Sequence, residues 1–217
     1  MLTLYYHPLA SYCWKVLIAL YEHGVAFERR IIDLDDAADS AELSALWPLG
    51  RFPVLRDGER VLAESSILVE YLDHHYAGGG ALIPPAFEAA LTARLWDRLI
   101  DNYVQNPMQG IVLGRLHGGE VPRAHATLAT AYQLIEAQLA TSPSSWIAGD
   151  VFSLADCAAA PALFYAVTVQ PFPADCARLA AYFERLVERP SVRRAREEAR
   201  PYFKDYPFAS EIAARFR

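Results

Sequence analysis

The sequence contains few cysteines, no excess of positive charge and no long hydrophobic run. Its three cysteines among 217 residues show neither CxxC nor metal-ligand spacing, which favours reduced thiols and no bound metal. The net charge of −6 at pH 7 argues against nucleic-acid binding, which needs a clustered basic surface. No apolar run reaches the roughly 18 residues of a membrane span, and His7 and Pro8 interrupt the first apolar segment. We therefore expect a cytoplasmic protein with no signal peptide and no membrane partner.

The nucleotide-binding motifs GxGxxG and GxxxxGK[ST] are also missing from the sequence. What the chain does have is enough apolar material for a core, since 53% of its residues are hydrophobic. Its length suits one large domain or two small ones, and it needs no disulfides to fold.

The first third of the chain has the pattern of a small sheet with flanking helices. A strand, a helix ending near Gly24 and a second strand give a βαβ order, which favours a parallel pair with a right-handed crossover. Asp57-Gly58 then predicts a hairpin turn, and a further helix follows the hairpin. The predicted segments are residues 2–6, 11–24, 26–33, 41–47, 52–63 and 65–76.

Residues 77–85, AGGGALIPP, have the composition of a linker. Beyond the linker the apolar spacing is helical throughout, with segments at 87–106, 122–140, 153–169 and 179–190. The sequence therefore predicts two domains, an α/β domain over residues 1–80 and an all-α domain over residues 86–217.

Pro53 stands at the start of a predicted strand, although proline cannot donate a hydrogen bond to a sheet. One interpretation is an ordinary trans proline that opens an edge strand. The other is a cis bond that turns the chain at this point. It would leave the backbone of Val54 free to pair with an extended ligand.

Glu64-Ser65 comes directly after the predicted hairpin. Ser65 is placed to cap the following helix, and a helix N-terminus also attracts anions. A ligand carboxylate could bond Ser65 while Glu64 held an ammonium group, which are the two charges of an amino-acid end. The alternative is a plain helix cap beside a surface carboxylate.

Ser11, Tyr12 and Cys13 lie where a loop enters the first helix. A hydroxyl or thiol at a helix N-terminus could stabilise a ligand thiolate. Ser11 could equally be a helix cap, and Cys13 a small buried apolar side chain.

Ser153 and Asp156 have the spacing of a capping box, with Asp in place of the usual Glu or Gln. They precede the most apolar predicted helix, residues 153–169. We interpret this pair as structural.

Taken together and in this order, these segments resemble the cytosolic glutathione transferase family. The residues that carry the resemblance are SYCWKVLIALYEHGV, PLGRFPVLRDGERVLAESSILVEYLD and IAGDVFSLADCAAAP. The resemblance implies a thioredoxin-like N-terminal domain that binds glutathione as a co-substrate. It also implies an all-α C-terminal helical domain that contributes a hydrophobic substrate pocket, and a homodimer.

The resemblance also assigns roles to the residues around the hairpin. It implies that Pro53 is cis and that Val54 pairs its backbone with the cysteinyl part of glutathione. Glu64 and Ser65 match the pair that holds the γ-glutamyl end, and Arg51 stands where a basic or amide residue reaches a carboxylate. Glu64 and Ser65 therefore acquire a binding role that the residues alone left open.

The position that activates the thiol departs from the pattern of the zeta-like group, which the sequence matches best. Counting back from Trp14, the serine expected to be catalytic falls on Ala10, and the second serine falls on Ser11. Ser11 is therefore the candidate, with a shifted loop, Tyr12, or backbone N–H groups as the alternatives. The cysteine linked to isomerase activity is absent at its position, because Cys13 stands one residue further on.

The resemblance implies a glutathione transferase that activates the thiol for attack on small, hydrophobic electrophiles. A glutathione-dependent reductase or isomerase is a related possibility. Ala10 favours a different class, a non-catalytic binding or assembly module with the same fold.

Overall fold

The structure is a computed structural model that describes residues 1–78, 80–119, 121–141 and 144–217. Its first part alternates strands and helices, as the sequence predicts. The elements are β1 (Leu2–Tyr6), α1 (Ser11–Glu22), β2 (Glu28–Ile31), α2 (Ala37–Leu46), β3 (Val54–Asp57), β4 (Arg60–Ala63) and α3 (Ser65–Tyr76). Gly79, in the predicted linker, lies outside the described residues.

The four strands form one mixed sheet in the order β2-β1-β3-β4. β1 and β2 are parallel, which confirms the βαβ prediction, and β3 is antiparallel to both β1 and β4. The hairpin closes with Asp57 opposite Arg60, and Gly58 supplies the positive φ of 60° that its two-residue turn requires.

The regular elements described in the second part are all helical, and they are accompanied by an isolated β-bridge between Trp146 and Gly149. The helical elements are α4 (Phe87–Ile100), a π-helical turn (Asp101–Gln105), α5 (Asn106–His117), α6 (Pro122–Thr141), α7 (Leu154–Val169), α8 (Ala177–Glu188) and α9 (Pro190–Ala199), followed by 3-10 turns at Arg200–Asp205, Ala209–Glu211 and Ala214–Phe216. α4, the π turn and α5 follow one another without a break, so residues 87–117 form one long helix. None of the described helices is long and apolar enough to cross a membrane.

α1 and α7 form the centre of the hydrophobic core. α1 is buried from Cys13 to Leu20, and α7 is buried on nearly all sides, as its composition predicts. The two helices pack against each other, with the rings of Trp14 and Phe164 5.0 Å apart. Because α1 belongs to the first part and α7 to the second, both parts share one core. The division at residues 80 and 86 stays a prediction.

The interpretation of Ser65 and Ser11 as helix N-caps is wrong. Ser65 and Ser11 are each the first helical residue, and the N-cap positions belong to Glu64 and Ala10, neither of which makes a side-chain cap bond. α2 begins four residues before the predicted segment because Asp36 caps it, accepting bonds from the backbone N–H groups of Ala38 and Asp39.

The Ser153–Asp156 capping box is formed at the start of α7. Asp156 is fully buried, and its carboxylate accepts bonds from the Ser153 N–H at 2.9 Å and the Ser153 hydroxyl at 3.0 Å. It also accepts from the Ile147 N–H at 3.2 Å and the Tyr182 hydroxyl at 2.6 Å. One side chain thus joins α7, α8 and the segment before them.

We predict that Asp156→Ala lowers the free energy of unfolding by about 3 kcal/mol or more, because four donors lose their acceptor in a buried place. Urea titration of the purified protein measures this loss. Asp35→Ala is the matched control, since Asp35 is exposed, and it should change stability by less than about 0.5 kcal/mol. Equal losses in the two variants would contradict the structural role.

Candidate functional site

A cleft of about 610 Å³ lies between the start of α3 and the long helix 87–117. Residues of both parts of the chain form its walls. The first part contributes Tyr12, Trp47, Arg51, Phe52, Pro53, Ala63, Glu64, Ser65, Ser66, Ile67 and Glu70, and the second contributes Arg94, Asp97, Arg98, Asp101, Asn102, Asn106 and Gln109. Four of the six site residues predicted from the sequence are among them.

Glu64 and Ser65 lie where the hairpin turns into α3. Glu64 is exposed and has φ 69° and ψ 110°, and it is the one non-glycine residue with positive φ in the described parts of the chain. Such a conformation costs about 1–3 kcal/mol and is held by its surroundings, often at a binding site. Ser65 is only 7% exposed but lines the cleft. The first N–H groups of α3 are therefore placed beside both side chains.

Arg51, Pro53 and Val54 precede the hairpin. The Phe52–Pro53 bond is cis, and Arg51 is exposed on the cleft wall next to it. Val54 is 0% exposed, is paired with Tyr5 and Ala63 in the sheet, and is not one of the lining residues. A ligand would reach the Val54 backbone only if a neighbouring residue moved.

Ser11 and Tyr12 differ in how they meet the cleft. Tyr12 lines it, and its hydroxyl donates to Oδ1 of Asn106 at 2.9 Å. Burial raises the pKa of Tyr12 well above its usual value, so at neutral pH it is a neutral phenol, and its O–H is already engaged in the hydrogen bond to Asn106. Ser11 is half-buried, is not a lining residue, and its hydroxyl has no hydrogen-bond partner among the described residues.

Beneath the cleft lies a buried group of charges that the sequence did not indicate. Lys15 of α1 is 1% exposed, and its ammonium forms ion pairs with Asp97 and with Asp101, the latter at 2.9 Å. It also donates to the Ser66 hydroxyl at 2.9 Å, which in turn donates to Asp97 at 2.8 Å. Arg98 closes the group by binding both carboxylates and Ser66. Two cations thus balance two anions.

Helical periodicity in the sequence does not predict this cluster of buried charges. Lys15 stands in an apolar helix, where a single lysine is normally solvated. Asp97 and Asp101 are four residues apart, which places them on one face of the long helix, but their partner lies more than eighty residues earlier in the chain. Burial raises the pKa of Asp101, while the Lys15 ammonium opposes that shift.

A second cavity, of about 410 Å³, lies between α7, α8 and the C-terminal segment. Its lining is mostly apolar and contains none of the predicted site residues. The described residues form no cluster of three or more His, Cys, Asp or Glu side chains that could hold a metal ion. The larger cleft is therefore the candidate site.

The fold and the cleft define a thioredoxin-like domain joined to a helical domain, which is the architecture of glutathione transferases. The sequence matches the models of the glutathione S-transferase N-terminal domain over residues 4–80 and C-terminal domain over residues 118–185. The chain belongs to the glutathione S-transferase family, as the sequence analysis predicts.

The relatives include both glutathione S-transferases and stringent starvation protein A homologs. The chain is 32% identical to glutathione S-transferase 3 of Zea mays, covering 88% of this chain and 90% of that protein. It is 31% identical to a stringent starvation protein A homolog of Pasteurella multocida, covering 88% of each. Among solved structures it is similar to a glutathione S-transferase of Methylobacterium radiotolerans in complex with glutathione sulfonate. That similarity has a TM-score of 0.76 at 26% identity, covering 89% of this chain and 93% of the other.

We predict that Lys15→Met lowers the free energy of unfolding by about 3–5 kcal/mol, because it leaves two buried carboxylates short of a cation. The loss should shrink at acid pH. Without Lys15 the pKa of Asp101 in the folded state, which burial already raises, rises further above the unfolded value of about 3.9, so protonation favours the folded state. Urea unfolding at about pH 7 and about pH 4.5 measures both effects.

The control is Arg94→Met, which removes a half-exposed ion pair with Glu70 that also joins α4 to α3. It should cost less than about 1 kcal/mol. A Lys15→Met loss that is as small as this, or that does not change with pH, would contradict the role of the buried charges.

Proposed function

We propose that the protein is a glutathione transferase that binds glutathione in the cleft and activates its thiol. The observation that carries the proposal is the convergence of the α3 N-terminus, Ser65, Glu64 and Arg51 on one cleft. Ser65 and the free N–H groups of α3 suit the α-carboxylate of the γ-glutamyl end, and the Glu64 carboxylate suits its ammonium group. Arg51 suits a second carboxylate of the same ligand.

Activation of the thiol needs a modest free energy. A free thiol has a pKa of about 8.5, and lowering it by about two units takes about 2.7 kcal/mol. One hydroxyl bond to the thiolate, worth about 1.5–3 kcal/mol, together with the N-terminus of α1 is sufficient. Ser11 suits this role because its hydroxyl is uncommitted, whereas Tyr12 would first have to release Asn106. The thiolate then attacks an electrophilic carbon held in the cleft.

The second candidate is a binding or assembly module without turnover. Two observations favour it: Ala10 at the position where the zeta-like pattern has its catalytic serine, and the similarity to stringent starvation protein A homologs. Both candidates keep Glu64 and Ser65 as ligand-binding residues, so binding alone does not separate them.

We further propose that the protein works as a homodimer in the cytoplasm. Phe87, Leu91 and Leu95 form an exposed apolar stripe at a spacing of four along α4. Such a stripe is costly to leave in water, and a second copy of the chain would cover it. The three cysteines are buried free thiols, which suits a reducing compartment. Sedimentation velocity of the full chain tests for the dimer.

We predict that the protein is retained on glutathione resin and conjugates glutathione to a chloronitrobenzene. Ser65→Ala should weaken glutathione binding by about 1–2 kcal/mol in calorimetry, since it removes a bond to a charged group. Ser44→Ala, at an exposed position of α2 outside the cleft, should leave the affinity unchanged.

Three results of this experiment would change the proposal. Retention without turnover of several electrophile classes would favour the binding module. Failure to bind glutathione at all would reject both candidates. Unchanged affinity in a folded Ser65→Ala protein would remove Ser65 from the site.

We predict that Ser11→Ala raises the thiol pKa of bound glutathione by about one to two units, which is about 1.4 kcal/mol for each unit. Glutathione affinity should change less than the rate, because the bond matters most to the charged form. Thiolate absorbance of the complex, titrated from about pH 5 to about pH 9, gives the pKa. Tyr12→Phe is the comparison. If the thiol pKa of bound glutathione rises in Tyr12→Phe but not in Ser11→Ala, Tyr12 is the residue that stabilises the thiolate.

A further inference from the structure

The wall that the helical part contributes to the cleft contains no apolar side chain among its lining residues. Toward the α4 end it is charged, through Arg94, Asp97, Arg98 and Asp101. Toward the α5 end it carries three carboxamides, Asn102, Asn106 and Gln109. The resemblance to the family implied a hydrophobic pocket from this part of the chain. In this cleft the apolar lining comes from Trp47, Phe52, Pro53, Ala63 and Ile67, in the first part, and the expected pocket stays a prediction.

The three carboxamides form a row on one face of the long helix. They are spaced four and three residues apart, which is the spacing of neighbours on a helix surface. All three are exposed. Asn102 and Gln109 make no side-chain hydrogen bond to any described residue, so their donors and acceptors are available to a ligand.

Asn106 is held in one orientation by Tyr12. The phenol donates to Oδ1 of Asn106 at 2.9 Å, and its pKa, which burial raises, lies well above neutral pH. With its oxygen engaged, Asn106 has its two amide N–H groups left to donate. The bond also crosses from α1 to α5, so the amide is fixed relative to the first turn of α1, which carries Ser11.

We propose that the α5 end of the cleft selects electrophiles whose reactive carbon is conjugated to a carbonyl group, and that Asn106 donates a hydrogen bond to the carbonyl oxygen. This inference rests on the proposed transferase function. Asn102 and Gln109 flank Asn106 and bind further polar groups of the same substrate. Trp47 and Phe52 offer apolar surface to the rest of it.

The chemistry of conjugate addition uses such a donor. The thiolate sulfur forms a bond to the β-carbon, the electron pair of the carbon–carbon double bond moves toward the carbonyl, and its oxygen becomes negatively charged. The resulting enolate takes a proton from water at the α-carbon, which replaces the proton that the thiol released. An amide N–H at the oxygen stabilises the charge as it develops. Displacement of chloride from an alkyl carbon creates no charge on a carbonyl oxygen and gains nothing from this donor.

The test compares two electrophiles of similar size, benzylideneacetone, which carries the conjugated carbonyl, and benzyl chloride, which has none. In Asn106→Leu the ratio of their kcat/KM values should shift about three- to tenfold against benzylideneacetone, the usual effect of one lost hydrogen bond. Asn106→Asp keeps an acceptor for Tyr12 but removes the N–H donors, so it should shift the ratio in the same direction. Because a change in thiol activation affects both electrophiles, the ratio reports only on their recognition.

The control variant is Gln133→Leu, an amide replaced on α6 outside the cleft, which should leave the ratio unchanged. A second measurement avoids turnover. Calorimetry of the full chain with S-methylglutathione compares binding of benzylacetone, an unreactive ketone, with binding of butylbenzene. Asn106→Leu should weaken the binding of benzylacetone about three- to tenfold and leave the binding of butylbenzene unchanged.

The outcomes separate this inference from the function on which it rests. Turnover of both electrophiles with an unchanged ratio in both Asn106 variants would overturn the inference and leave the transferase intact. If neither electrophile is turned over, the transferase proposal fails for these two reactions, and benzylacetone binding decides the inference by itself. A preference for the ketone that Asn106→Leu abolishes would support it, and equal binding in the two proteins would reject it.

Discussion

The buried ion pairs of Lys15 are the interaction on which the cleft depends. A lysine in the middle of the core is stable only where carboxylates surround it, and those carboxylates belong to a helix of the other half of the chain. The pairs therefore fix the long helix against α1 and, through Ser66, against the start of α3. The apolar core holds the two halves together, but apolar contacts are not directional. The charges determine how far the helix stands from the residues that would bind glutathione.

Local patterns in the sequence were enough for the thioredoxin-like half and for the ends of many elements. The βαβ order, the Asp57-Gly58 turn and the Ser153–Asp156 spacing are signals carried within a few residues, and the structure has all three. Ser65 was wrongly interpreted as the N-cap of α3, because Glu64 occupies that position with a positive φ. A positive φ is uncommon for residues other than glycine, so it could not be expected from the sequence.

The residues of the candidate site also differ in whether the sequence could predict them. Glu64, Ser65, Arg51 and Pro53 follow one another closely in the chain and could be recognised together. The Lys15 charges could not, because Lys15 and its carboxylates lie more than eighty residues apart in sequence. The three carboxamides are close together in the chain, but their place on the cleft wall beside Tyr12 depends on tertiary packing. Apolar spacing alone does not show which face of α4 is buried, since Leu91 and Leu95 are exposed. The buried face also carries Asp97, and the burial of that carboxylate is explained only by its ion pair with Lys15.

The π-helical turn at Asp101–Gln105 links the charged end of the long helix to its carboxamide end. A π turn holds one residue more than an α turn, and it takes up that residue with little change in the direction of the helix faces beyond it. Loss of one residue there would restore a plain α-helix and leave Asn106 and Gln109 facing the cleft. Loss of one residue from a regular α-helical stretch instead rotates everything beyond it by about 100° around the axis. Point substitutions therefore exchange the groups on the wall, a deletion or insertion in the regular stretches turns a different face of the helix toward the substrate, and the π turn is the place where a change of length leaves the wall in place.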